Sequence, residues 1–289
     1  RFSHVCARFT QGGSLTLSAN NTLDRGLWVE LAAHMVRNLS TARNVATGGN
    51  LILAIQSPPG EGKTYHCKAV LGSLGVRVYR FPIADLESPG AGLPAVRLVE
   101  RYVEAARTIE QEGPAALLIE DADLGIGHAN SEAEITQFTM NRNLILGSLM
   151  GICDSPTLVD VPSESVLAER GGRTICPRVP IIMTGNNLGG VYPALFRDGR
   201  AQIVDWRASA TTKIAFLELR AQLDPRAGAQ LVKEFDDAPI AFWESVISHV
   251  EANGMRSIIA DLLVKNESTS LAEMMEAAGI LGDVPVTYE

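Results

Sequence analysis

The sequence predicts an α/β fold: a parallel sheet flanked by helices, followed by a small all-helical part. Three observations predict it. Short apolar runs of strand length alternate with amphipathic stretches of helical period. A Gly-rich segment, Ser57 to Thr64, joins the first of these runs to the helical stretch after it. Beyond about residue 210 only helical periodicity remains.

Taken in order, residues 24–40 place Leu27, Leu31, Met35 and Leu39 on one stripe, with Trp28 and Val36 beside it, which predicts a helix. LILAIQS at 51–57 has the length of a buried strand, and YHCKAVLGSLG at 65–75 reads as a helix ended by Gly75. Residues 76–83 alternate loosely like a strand. Residues 94–112 form the clearest helix, with Pro94 at its start and Gly113 just past its end. AALLIED and VPIIMTGNN supply two further buried strands. The remaining segments, 211–223, 227–235, 240–252, 254–265 and 270–279, read as helices. Turn signals at Asp224-Pro225, Asp236-Asp237 and Asn253-Gly254 separate them. The expected division is therefore an extension at 1–22, an α/β subdomain at 23–208 and a helical lid at 209–289.

Composition narrows the function classes. The 289 residues are 46% apolar and 20% charged, an ordinary globular mixture. Thirty-three acids against twenty-five bases give a net charge of −8, which argues against a protein that clamps nucleic acid or an anionic membrane. No run approaches the roughly 18 uncharged apolar residues of a membrane span. Residues 1–20 are polar and Gly/Ser-rich, without the apolar region of a secretory leader. The four cysteines, Cys6, Cys67, Cys153 and Cys176, are scattered, so neither a disulfide framework nor a zinc site is expected. A reducing cytoplasm is the natural compartment.

Chemistry concentrates at the ends of the apolar runs. In Ser57-Pro58-Pro59-Gly60-Glu61-Gly62-Lys63-Thr64, a strand-to-helix turn would aim backbone N–H groups and a helix N-terminus at one spot, which suits phosphate oxygens. Lys63 would reach the β/γ-phosphates and the Thr64 hydroxyl would hold Mg²⁺, with Pro59, Gly60, Glu61, Gly62 and Tyr65 completing the candidate nucleotide-binding set. The strict pattern begins with Gly, where this chain has Ser57, and the alternative is a plain turn with an exposed lysine. The run Leu117 to Ile119 ends in Glu120, Asp121 and Asp123, acids placed to hold Mg²⁺ and to polarise an attacking water. An acidic loop capping the next segment is the other reading. The third run ends in Asn186, which would hydrogen-bond a lytic water or a γ-phosphate. Eleven residues on, Arg197 and Arg200 are either surface ion-pair partners or guanidinium groups that reach a neighbouring subunit's nucleotide.

In this order the elements resemble the AAA+ ATPases, P-loop NTPases with a helical lid. Three segments narrow the resemblance: DLESPGAGLPAVRLVERYVEAAR at 85–107, TQFTMNRNLILGSLMGICDSPTLVDVP at 136–162 and RVPIIMTGNNLGGVYPALFRDGR at 178–200. They are similar to Rubisco activase of the green, plant and cyanobacterial type, over most of the chain from about Leu23 to Trp206. The resemblance implies a homo-oligomeric ring, usually a hexamer, that binds ATP and Mg²⁺ between subunits and pulls a client through its pore. For an activase the client is Rubisco blocked by a tight-binding sugar phosphate. It also implies Lys63 and Thr64 as the phosphate-loop pair, Glu120, Asp121 and Asp123 as metal and water acids, and Asn186 as γ-phosphate sensor. Arg197 and Arg200 would be the trans-acting arginines, and stretches 85–92 and 127–137 would line the pore.

The chain departs from that pattern in four places. Ser57 replaces a Gly, and the acid strand ends Glu120-Asp121 where the family has Asn-Asp. Phe242-Trp243 stands where the family shows two Phe, followed by Ile247 and His249 rather than a phosphate-touching Arg, with Arg256 the nearest substitute. The N-terminal domain with which plant activases contact Rubisco is expected to be missing or shrunk to about twenty residues. Two other functions share these features: the same engine acting on a different protein or nucleic-acid client, and an oligomeric nucleotide-binding scaffold with little hydrolysis. His34 reads as a helix-surface or core-edge residue, His66 as a helix residue after the Gly-rich turn, Trp28 and Trp206 as packing residues, and His128 as a solvated loop residue.

Overall fold

The computed structural model describes residues 23–40, 49–82, 92–123, 137–162, 165, 172–191, 193–197, 199–265, 270 and 273–274. The expected pore stretches at 85–92 and 127–137, apart from their terminal residues Gly92 and Gln137, lie outside them, as do His128 and most of the expected helix 270–279.

Five strands form a parallel sheet: β1 (Ile52–Gln56), β2 (Arg77–Pro82), β3 (Ala115–Glu120), β6 (Ile181–Gly185) and β7 (Ala201–Asp205). Their spatial order is β2-β3-β6-β1-β7, so β6 separates the strand that leads into the Gly-rich turn from the strand that ends in acids. A separate antiparallel pair, β4 (Leu158–Val161) and β5 (Gly172–Ile175), was not expected from the sequence, nor was β7. Both lack a sustained apolar run. In β7 only Ala201 is buried, so pairing with β1 rather than its own burial makes it a strand.

Alternation along each buried strand sorts side chains to the two faces. Ile52, Ala54, Leu117, Ile119, Ile181 and Met183 meet helices α3 (Leu93–Gln111) and α4 (Gln137–Asp154). Leu53, Ile55, Ala116, Leu118 and Ile182 meet α1 (Arg25–Leu39) and α2 (Lys63–Ser73). A sheet covered on both faces needs strands that are apolar throughout, which is why β1, β3 and β6 read as continuous runs.

Local signals set the helix ends. The Asp24 carboxylate accepts from Leu27 N at 3.0 Å and caps α1. Pro94 sits in the first turn of α3, which ends where Gly113 N bonds back to Thr108 O. The C-terminal part consists of α5 (Ala210–Ala221), α6 (Pro225–Glu234) and α7 (Ile240–Lys265) around Leu217, Val232 and Trp243. Asn253-Gly254 is not a turn: α7 runs through it as one helix of 26 residues. An interior glycine costs a helix about 1 kcal/mol, less than ending one and nucleating another.

Tyr102 fastens the helical layer to the sheet. It is fully buried, donates to Pro156 O at 2.9 Å and accepts from Val179 N at 3.1 Å, just before β6. Replacing it by Phe keeps the ring and orphans the buried Val179 N–H. Tyr102→Phe is therefore expected to cost about 1–3 kcal/mol, read as a lower urea midpoint with an unchanged m-value.

Candidate nucleotide site

β1 passes at Gln56 into the turn Ser57–Gly62. Ser57 is buried and donates its N–H to Gly185 O of β6 at 3.2 Å, so the residue in the first Gly position still joins the turn to the sheet. Gly60 (φ 84°) and Gly62 (φ 83°) are left-handed, a conformation that side chains resist. A Cβ at Gly60 would also lie 2.9 Å from the Ala241 Cβ of α7. Helix α2 starts at Lys63 immediately after this turn.

Parallel register brings three strand ends together. Gln56 pairs with Gly185, and Ile119 with Met183, so Lys63, Asp121 and Asn186 follow strands that stop at one edge of the sheet. Lys63 Nζ donates to Asn186 Oδ1 at 2.5 Å. Asp123 Oδ2 accepts from Asn186 N at 3.0 Å and Asn187 N at 3.3 Å, while its Oδ1 is buried with no hydrogen-bond partner among the described residues. Asp121, in a left-handed backbone (φ 53°) that Asp tolerates, donates its N–H to Thr184 Oγ1 at 3.3 Å. Gln56 closes the edge by accepting from Leu188 N at 2.7 Å and donating to Asp205 at 2.6 Å.

The lid touches this turn directly. Gly60 O accepts from Ala241 N at 2.9 Å, and a cavity of about 360 Å³ lies between Gly60, Gly62, Lys63, Thr64 and Tyr65 on one side and Ile240 and Ala241 on the other. Pro59 is exposed on the shoulder of the turn. Glu61 points inward: it is buried, and its carboxylate accepts from Ala208 N at 3.3 Å at the root of the lid. Arg256 lies fifteen residues along α7 from Ala241, about 22 Å at helical rise, which no side chain spans.

Glu120 stands apart from the group. Arg80 of β2 holds its carboxylate through two bonds, at 2.6 and 3.0 Å, and Lys68 of α2 approaches to 2.9 Å. Burial pushes its pKa up, but the hydrogen bonds from Arg80 and Lys68 outweigh burial and hold the carboxyl below its ordinary value. Arg197 and Arg200 also lie away from the cavity. Ile52 N donates to Arg200 O, so they enter β7 at the edge opposite the Gly-rich turn. Arg200 is paired in its own chain with Asp154, whereas the Arg197 side chain is exposed.

The residues suit a triphosphate and its cation. Mg²⁺ keeps several waters and takes one or two protein ligands beside phosphate oxygens. Among the described residues no group of three or more His, Cys, Asp or Glu would hold a metal alone. Thr64 at the cavity, Asp121 at the strand tip and the unsatisfied Asp123 oxygen match that modest demand. Sequence reasoning missed Gln56 and Thr184, legible only as polar ends of apolar runs. It also missed Ala241 and Asp154, which nothing local marks.

This fold and site are those of an AAA ATPase. The model of the ATPase family associated with various cellular activities matches residues 53–206, more than half of the chain, and the chain belongs to that family. It is similar to the chloroplastic ribulose bisphosphate carboxylase/oxygenase activase of Zea mays, at 29% identity over 96% of this chain and 63% of the relative. Activase B of Hordeum vulgare is 30% identical over 93% of this chain and 63% of the relative. The activase of Anabaena sp. is 33% identical over 86% and 58%. The chain thus spans less than two thirds of the length of these relatives. No described helix is long and apolar enough to cross a membrane.

Glu120 yields a pH test. Because its folded pKa lies below its unfolded value, the Arg80–Glu120–Lys68 cluster contributes fully above the unfolded value. That contribution fades as pH falls through the folded one. Glu120→Gln should therefore lower the urea midpoint at pH 7, and its gap from the parent should narrow as pH falls below the ordinary carboxylate range.

Proposed function

We propose that this chain is the ATPase module of a ring-forming remodeller, with each nucleotide held between two copies and Rubisco carrying an inhibitory sugar phosphate as the client. One observation carries the shared-site reading. Lys63 and Asn186 lie at one edge of the sheet, while Arg197 and Arg200 enter at the other, separated by the length of β1, about 16 Å. An arginine so placed acts on a neighbour's nucleotide rather than on its own.

On this reading the turn amides and Lys63 bind the triphosphate, and Tyr65 and Ile240 border the same cavity. Asp121 takes a proton from, or orients, the attacking water, and Asn186 fixes the γ-phosphate position through the backbone bonds that Asp123 accepts. Arg197 neutralises charge that develops as the phosphoryl group leaves, an effect worth about 10³–10⁵ in rate. Thr64 and the acids at the strand tip would hold Mg²⁺, which would supply positive charge against the phosphate oxygens. The names and coverage of the relatives support Rubisco as client. A cytoplasmic or stromal setting follows from that client.

Lys63→Ala and Arg197→Ala should each lower ATP turnover by about 10³-fold or more, and mixing the two should restore part of it, since each supplies what the other lacks. Asp121→Asn should lower turnover with nucleotide binding retained. Mixtures that stay inactive while both variants assemble would remove the shared site. The client is tested apart from the motor: the assembled parent, given ATP, should restore carboxylation by sugar-phosphate-inhibited Rubisco. If ATP turns over and Rubisco stays inhibited, the client assignment falls and the motor stands.

A further inference from the structure

The two arginines differ in what surrounds them. Arg200 N bonds to Arg197 O at 3.0 Å beside a left-handed Gly199 (φ 89°), a hydrogen-bonded turn. Three anchors hold it. Leu195 is fully buried in the core, Gly199 N donates to the Asn50 side chain at 2.8 Å, and Arg200 is clamped. The Arg200 guanidinium donates through Nε and Nη2 to both oxygens of Asp154, at 2.7 and 2.6 Å, and through Nη1 to Ala194 O at 2.9 Å. Its side chain is only 19% exposed, and Asp154 is the last residue of α4. The Arg197 side chain is exposed and makes none of the bonds that hold Arg200 among the described residues.

We infer that the pair divides the work: Arg197 alone reaches the neighbouring subunit's nucleotide, and Arg200 is a positioning residue that, pinned to Asp154, fixes the turn carrying Arg197. This rests on the shared-site reading above and adds Asp154, which no sequence feature marked. A bidentate fork sets direction as well as distance, so it suits positioning. The pair does little for overall stability, because Asp154 is 55% exposed and water screens such a pair. The consequence separates it from an arginine that touches phosphate. A pin needs both members, whereas a phosphate-touching Arg200 needs to be free of Asp154.

The test measures steady-state ATP turnover of the assembled full chain. Asp154→Ala should lower kcat by about 10²-fold, the scale of a misplaced group, with KM for ATP and the unfolding midpoint unchanged. Arg200→Ala should match it, and the double variant should be no worse than either. The exchange Asp154→Arg with Arg200→Asp should recover most of the lost turnover, because it rebuilds the pin with the charges reversed. Two results would overturn the inference: Asp154→Ala at or above parental turnover while Arg200→Ala is inactive, or an exchange variant as inactive as Arg200→Ala although it assembles. The shared site itself fails by a different result, mixtures of Lys63→Ala and Arg197→Ala without recovery.

Discussion

The seating of β6 between β1 and β3 is the constraint on which the site depends. Parallel pairing of Gln56 with Gly185 and of Ile119 with Met183 delivers three loops to one edge from segments far apart in the chain. Lys63 is buried, and an ammonium taken from water needs a partner. Asn186 supplies one at 2.5 Å, and the backbone on which Asn186 rides is held by Asp123. A chain of contacts thus runs from ammonium to amide to carboxylate. On the proposed reading, an arriving γ-phosphate competes with Asn186 for the same ammonium, so phosphate binding and Asn186 orientation are coupled.

The same turn is bonded to the lid at two points. Ala241 N reaches Gly60 O, and Ala208 N reaches the buried Glu61 carboxylate. Asp24 adds a third joint by accepting from Ser209 N at 3.2 Å and from the Thr212 hydroxyl at 3.1 Å, just where α5 begins. Within the lid, Arg220 of α5 grips Glu244 and Glu251 of α7, so the helices that touch the turn are cross-braced. A shift of the Gly-rich turn therefore has a short bonded route into the lid. Gly60 explains itself here: its left-handed backbone and the close Ala241 leave no room for a side chain.

What the sequence disclosed follows from the range of the interactions. Buried parallel strands are apolar on both faces, so β1, β3 and β6 stand out, and the Gly-rich turn between a strand and a helix is legible from eight residues. Strand β7 is not, because its identity comes from pairing with a partner some 150 residues away, as the Ile52–Ala201 register shows. The break expected at Asn253-Gly254 failed because a dipeptide signal weighs little against a helix continuous on both sides. Among site residues, Lys63, Asn186 and Asp121 were recognisable as polar groups at strand ends. Which acid and which arginine were already committed elsewhere was not, since Arg80, Lys68 and Asp154 meet them only through the fold.

That commitment changes the electrostatics of the acid tip. Three carboxylates close together would raise one another's pKa values and favour protonation of one of them. Here Glu120 is balanced by two cations, one from β2 and one from α2, and turns its charge toward them. The activases it resembles end this strand with a neutral Asn before the Asp. A Glu held by Arg80 and Lys68 reaches a comparable result by a different route, because its charge is neutralised locally and does not add to that of Asp121. On the proposed reading the acids left for the phosphates and their cation are Asp121, one residue further on in a left-handed backbone, and Asp123 with its unsatisfied oxygen. The order Glu120-Asp121 is, on this argument, compatible with an active hydrolytic centre.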